Sequence, residues 1–405
     1  MHFYNTACVR PGVCAFKVFQ SHRHYHTIML LVYRIRAAPE SGLEREAMGG
    51  EHRNQLKLLK NIIYGKVGRE MSGEKALHFE EHDNKALEKL RCFIPEKIFD
   101  IHSHIVHPDF MDHFRIIDAE QLKGEQGAIT GGTVLRFNLI PYPTKKMGSP
   151  GAREYSTEFL KQELIKHPEH VGEAIVLPWD NCRDVEAQLV HPNIKGFKCY
   201  HNIIRKHFNT FDAAIEEFLP DSVWEVANHY SFHIMLHLVT QSLADPGNIE
   251  YIQKMTERYK NVRLILPHAA RALAAWTLIE NIEMLKDNTR VLFDVSGICE
   301  SPAIIKLIRT VGHKRVLWGS DYPETISRGK CISVSDTFVW LYWDQLKHYN
   351  ARTPFNMNLI GVEALRAMEQ ACHILGSTKP EIEDMFYFNA MELFGMTDTL
   401  CCAIS

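Results

Sequence analysis

Nowhere in the 405 residues does an apolar run approach the ~20 residues that a membrane-spanning helix requires. The longest early run, Ile28 to Tyr33, is flanked on both sides by His and Arg, and no small-residue cleavage site follows, so no secretory leader is expected. Charge bias is also missing. With 46 Lys+Arg against 49 Asp+Glu the net charge is -3, which gives no general reason to expect nucleic acid or a membrane surface as a partner. Ten cysteines are scattered without a CxxC pair, in a chain far too long for a disulfide-stapled miniprotein. They read as reduced, mostly buried thiols of a cytoplasmic protein. A glycine-rich nucleotide loop is absent too, which weakens the case for a doubly wound open sheet.

Acidic residues are wanting from one region in particular. Up to Pro39 there is none, while Arg10, Lys17, Arg23, Arg34 and Arg36 are basic. Such a start fits a transit segment or a stretch upstream of the true start. Met71 opens sequence that runs smoothly into the rest, which favours the second. Residues 1–70 are therefore expected to be a poorly structured extension, and the histidine-rich cluster His22–His26 within them incidental. A helical lead-in follows over 71–96, with a helix from about Lys75 to Arg91.

From Lys97 onward, short β-branched runs alternate with longer amphipathic stretches, the pattern of parallel strands joined by crossover helices. Strands are expected near Ile98–His102, Val134–Leu139, Gly172–Leu177, Gly196–Tyr200, His233–His237, Arg263–Pro267, Val291–Val295 and Val316–Gly319. Helices are expected at Tyr155–Lys166, Asn248–Tyr259, Ala272–Lys286 and Pro302–Val311. Eight such units make an α/β fold, a closed (β/α)8 TIM barrel over 97–396. The helical stretch Asn358–Met396 should pack outside it, leaving 397–405 as a tail.

In such a barrel chemistry sits at the C-terminal ends of the strands, and polar residues cluster there. Strand one ends in Phe-Asp-Ile-His-Ser-His, residues 99–104. Side chains alternate faces along a strand, so His102 and His104 point the same way and can converge on one divalent cation. Strand five ends at His237, strand six at His268 and strand eight at Asp321. Taken singly, each has an equally good structural explanation: a satisfied core imidazole, a helix cap, a turn residue. Together they mark a site. Lys198, in the apolar strand four, is costly to bury unless paired, neutralised or modified.

The segments 99–104, Lys-Gly-Phe-Lys-Cys-Tyr at 195–200, Ile-Met-Leu-His at 234–237, Leu-Ile-Leu-Pro-His-Ala-Ala-Arg at 264–271 and Val-Leu-Trp-Gly-Ser-Asp-Tyr-Pro at 316–323 resemble, in order, the amidohydrolase superfamily. More narrowly they resemble the amidohydrolase-related family of decarboxylases, hydrolases and lactonases. The resemblance implies that His102, His104, His237 and Asp321 hold one divalent metal, most often zinc, with His268 beside it moving protons. It also implies an unmodified Lys198 facing substrate, and it brings a homodimer among the expected assemblies. Hydrolysis of an amide, ester or lactone and decarboxylation use the same residues, so both remain open, as does a barrel that only binds. Several cations follow the strands: Arg136, Lys145 and Lys146, His201, Arg205, Lys206 and His207, Arg271, Arg328 and Lys330. They point to a small carboxylate-bearing substrate, with Arg136, Lys198, Tyr200 and His201 as the expected contacts.

Overall fold

A computed structural model of the chain describes residues 77–397 apart from 108, 110–114, 132, 205–208 and 347–354. The expected extension over 1–70, the His22–His26 cluster and the loop residues Arg205, Lys206 and His207 lie outside the described residues, as does the side chain of Lys145.

Eight parallel strands run in chain order around one sheet: β1 Lys97–Ile105, β2 Thr133–Pro141, β3 Val171–Ile175, β4 Ile194–Cys199, β5 His233–Leu236, β6 Arg263–Leu266, β7 Val291–Asp294 and β8 Val316–Leu317. The residues after β8 close the ring. Ile101 N donates to Trp318 O (3.1 Å), Asp321 N to His102 O (2.7 Å) and His104 N to Tyr322 O (2.9 Å). That approach needs a glycine at 319, where an added Cβ would stand 2.8 Å from the Cβ of His102. The eight-stranded barrel expected from the alternation is the fold observed. Burial explains why these runs become strands: Leu264–Leu266 and Val291–Asp294 are covered inside by the barrel core and outside by helices.

A bulge in β1 decides which way the His-Ser-His triplet faces. Phe99 and Ile101 point into the barrel core, and simple alternation would turn His102 and His104 outward. The register instead slips between Asp100 and Ser103, which pair with Phe137 and Leu139. One extra residue inverts the phase and aims both imidazoles inward.

The lead-in helix starts at Glu81 rather than Lys75. Asp83 stops its N-terminal extension by accepting from Glu80 N (2.8 Å), and the same buried carboxylate takes Arg328 (2.7 Å) and Leu359 N (2.9 Å). Between β2 and β8 the helices Ala152–Lys166, Pro246–Arg258 and Ser301–Val311 match their expected positions to within a few residues. The stretch Ala272–Lys286 is not one helix. It divides into the helix Trp276–Asn281 and a 3-10 turn at Ile282–Leu285.

The C-terminal stretch departs from expectation. Its first helix, Ile360–Leu375, does pack outside, against Ser301–Val311. The rest turns under the barrel and closes its N-terminal end. Tyr387, Ala390 and Met391 join the barrel core, Phe394 stacks on Phe99 (5.4 Å between ring centroids), and Asn389 Nδ2 donates to Val316 O (2.8 Å). Phe386, fully buried, stacks on Trp318 at 5.5 Å. Its replacement by alanine should destabilise the fold by about 3–5 kcal/mol, read as a lowered urea midpoint at unchanged slope. A tail lying loosely outside would cost far less.

Among the described residues no helix is long and apolar enough to cross a membrane.

Candidate active site

At the C-terminal end of the barrel a cavity of about 460 Å³ opens above the strand ends. His102, His104, Lys198, His237, His268 and Asp321 all line it. Asp321 sits at the centre, with Oδ1 3.5 Å from Nε2 of both His102 and His104, and Oδ2 4.0 Å from Nε2 of His268. Its backbone is left-handed, φ 53°, a conformation aspartate tolerates better than most residues and one that here turns the carboxylate back over β1. Burial alone would raise the Asp321 carboxyl. The imidazoles of His268, His104 and His102 outweigh it and hold the group at about 2, so it is ionised at neutral pH. Burial also lowers the proton affinity of His102, His104, His237 and His268, leaving neutral rings.

The arrangement suits a divalent cation. His102, His104 and Asp321 present three ligand atoms within 4.8 Å of one another. Neutral imidazoles and an ionised carboxylate are the donor chemistry of zinc and manganese sites. His237 stands across His268, with ring centroids 5.3 Å apart, and its Nδ1 has no hydrogen-bond partner among the described residues. Such an unsatisfied buried nitrogen is costly unless the ring has another use.

Two residues that sequence reading overlooked organise these rings. Asp294, at the end of β7, accepts from His102 Nδ1 (3.0 Å) and from the backbone N of Ser296 (2.8 Å) and His268 (3.3 Å). Ser296 O lies 2.9 Å from His268 Nδ1. Each ring thus donates from Nδ1 and turns the Nε2 lone pair toward Asp321. Their signal was available, since Leu-Phe-Asp ends an apolar strand in a carboxylate as strand eight does. The isosteric substitution Asp294→Asn can place an amide N–H on His102 Nδ1 and force the other tautomer. It should weaken binding of a divalent ion about 10–100-fold in a metal titration, with little change in the circular dichroism spectrum.

After β6 the chain makes a left-handed turn. His268, Ala269, Ala270 and Arg271 all have φ between 50° and 61°. A run of four such residues costs about 1–2 kcal/mol each. It is held by Arg271 donating to Thr240 O (3.0 Å) and by a hydrogen bond from the Ser242 hydroxyl to Ala270 O. The turn brings His268 and Arg271, three residues apart, to the same cavity. The Arg271 guanidinium is packed between Phe211 (4.7 Å to the ring centroid) and Phe338 (5.2 Å). No carboxylate pairs with it among the described residues.

The second wall was unforeseen. A hairpin, β9 Gly329–Val334 and β10 Thr337–Tyr342, follows β8 and brings Phe338, Trp340 and Tyr342 to the cavity. Tyr142 and Glu324, hydrogen-bonded to each other, line it as well.

The expected substrate contacts divide. Lys198 is buried in the cavity with Nζ 3.1 Å from His102 Nε2, and Tyr200 packs on His237 at 4.8 Å. His201 does not line the cavity; it is packed behind it, on Phe211 and Thr210. Arg136 is at the wrong end of the barrel. It is the fourth residue of β2, and its guanidinium donates to Glu169 O (2.8 Å), just before β3 begins. Arg328 and Lys330 are likewise spent elsewhere, on Asp83 and Glu363.

A family profile described as amidohydrolase matches residues 145–396. No curated protein matches the chain. Solved structures of similar outline include 5-carboxyvanillate decarboxylase from Sphingomonas paucimobilis, 14% identical, covering 75% of this chain and 100% of that one with a TM-score of 0.49. An amidohydrolase from Burkholderia multivorans with bound zinc is 13% identical over 74% of this chain and 99% of that one, TM-score 0.47. A dihydroxybenzoic acid decarboxylase from a Polaromonas species, with bound manganese and 2-nitroresorcinol, is 12% identical over 74% and 97%, TM-score 0.48. The profile match starts after β2, so His102 and His104 lie outside the matched segment. Matched over more than half its length, the chain belongs to the amidohydrolase family.

Proposed function

We propose that this protein is a metal-dependent hydrolase that cleaves a C–N or C–O bond, in an amide, ester or lactone, of a small carboxylate-bearing substrate. The observation that carries this reading is the ionised Asp321 carboxylate, shared between His102 and His104 on the cavity floor. His102, His104, His237 and Asp321 would hold one divalent ion, zinc before manganese, with Lys198 unmodified. When bound, such an ion supplies Lewis-acid polarisation of a carbonyl and of water.

The protein's own groups do the rest. Asp321 accepts the proton of the attacking water. Neutral His268, with Nδ1 committed to Ser296 O, takes that proton at Nε2 and returns it to the leaving nitrogen or oxygen. The Lys198 amino group, whose proton affinity burial lowers, offers hydrogen bonds to oxygen charge that develops beside it. Arg271 anchors the substrate carboxylate, the role that Arg136 is too distant to fill.

The aromatic wall of Phe338 and Trp340 favours a second reading. Flat unsaturated acids fit such a slot, and the same residues would then serve decarboxylation. One assay separates the two. Zinc- and manganese-loaded protein is given lactones and esters in one series and phenolic or unsaturated acids in another, with proton and CO2 release followed. Metal-dependent proton release without CO2 is expected; CO2 release from the second series would replace hydrolysis with decarboxylation.

A further inference from the structure

A second group of metal-type ligands lies at the other end of the barrel, outside everything used above. His167, Glu169 and His170 sit in the short connection between the helix Ala152–Lys166 and β3. One ligand atom from each falls within 4.8 Å of the other two. Glu169 Oε1 is 3.9 Å from both His167 Nδ1 and His170 Nε2. Glu120, in the first turn of the helix Ala119–Thr130, lies beside this group, 3.6 Å from His167 Nδ1.

We propose that His167, Glu169 and His170, with Glu120 beside His167, form a peripheral binding site for a divalent transition-metal ion, zinc foremost. Metal–ligand bonds of about 2.0–2.2 Å place neighbouring donors of a tetrahedron about 3.4 Å apart. Glu169 already stands 3.9 Å from both imidazole nitrogens, and all three ligand atoms lie within 4.8 Å of one another, so side-chain rotation has to close about 0.5–1.4 Å to reach that spacing. Two imidazoles select zinc, nickel or copper over magnesium and calcium, which take oxygen ligands.

His170 supplies a second, independent reason. It is 2% exposed, and its Nδ1 has no hydrogen-bond partner among the described residues. Its other nitrogen, Nε2, is turned toward Glu169 Oε1 at 3.9 Å, so a buried imidazole already faces the carboxylate with which it would share the ion. Burial also keeps it neutral, the form that ligates. Two cations face the group, Lys123 and Arg136, and oppose an incoming ion. The carboxylates of Glu120 and Glu169 balance them in number. Arg136 is moreover tied to the backbone oxygen of Glu169, so it holds the connection in place.

The site changes how metal content is to be read. A preparation with two ions per chain would ordinarily suggest a binuclear barrel centre bridged by a modified Lys198. A peripheral ion gives the same ratio with Lys198 untouched.

The test is equilibrium dialysis of the full chain against zinc, with cobalt absorption as a second readout of tetrahedral coordination. Wild-type protein is expected to bind two ions, and His102→Ala/His104→Ala one. Adding His167→Ala, a partly exposed position that leaves the fold undisturbed, should remove that last ion and its cobalt band. If the barrel reading is wrong, wild type binds one ion, insensitive to His102 and lost with His167→Ala, and the peripheral site stands. The proposal falls if a folded His102→Ala/His104→Ala protein binds no ion, or if His167→Ala leaves its binding unchanged.

Discussion

Replacing Asp321 by asparagine is expected to lower metal-dependent turnover about 1,000-fold without unfolding the protein. Asparagine keeps the shape of the side chain and tolerates the left-handed backbone found there, so the closure between β1 and the residues after β8 should survive. What disappears is the negative charge facing His102, His104 and His268. The variant can neither accept a proton nor balance a divalent cation. Turnover and metal content measured on the same sample separate those losses. Activity within about 10-fold of wild type would remove Asp321 from the chemistry.

Arg271→Gln should act on binding instead. A charge-assisted hydrogen bond to a carboxylate contributes about 1.5–3 kcal/mol, which corresponds to a KM raised about 10–100-fold for an acidic substrate. The turnover number should change far less, and an uncharged ester or amide analogue should lose nothing. Arg271→Lys keeps the charge but not the planar fork between Phe211 and Phe338, so it should recover only part of the loss. An equal rise in KM for charged and neutral analogues would mean that Arg271 merely supports the turn it belongs to.

The architecture was legible because parallel barrel strands are short apolar runs at regular spacing, and all eight were found. His102, His104, Lys198, His268 and Asp321 were legible by the same logic, as polar residues ending apolar strands. What escaped depends on geometry that such patterns do not encode. Alternation shows that His102 and His104 point together, but only the bulge between Asp100 and Ser103 turns them inward. Arg136 breaks an apolar run as Lys198 does, yet it lies near the beginning of a nine-residue strand, and place along the strand decides which end a side chain serves. The left-handed turn over His268–Arg271 contains no glycine, so nothing in its composition announces it. Asp294 is a different matter: the rule that found Asp321 applies to it equally.

The central claim is that His102, His104, His237 and Asp321 gather a divalent ion at the C-terminal end of the barrel. Calorimetric titration of metal-stripped protein with zinc tests it most directly, in a His167→Ala background that silences the peripheral group. One ion per chain is predicted, with binding lost when His102 and His104 are both replaced by alanine. Zinc uptake of unchanged affinity in that variant, or no uptake in the folded parent, would contradict it.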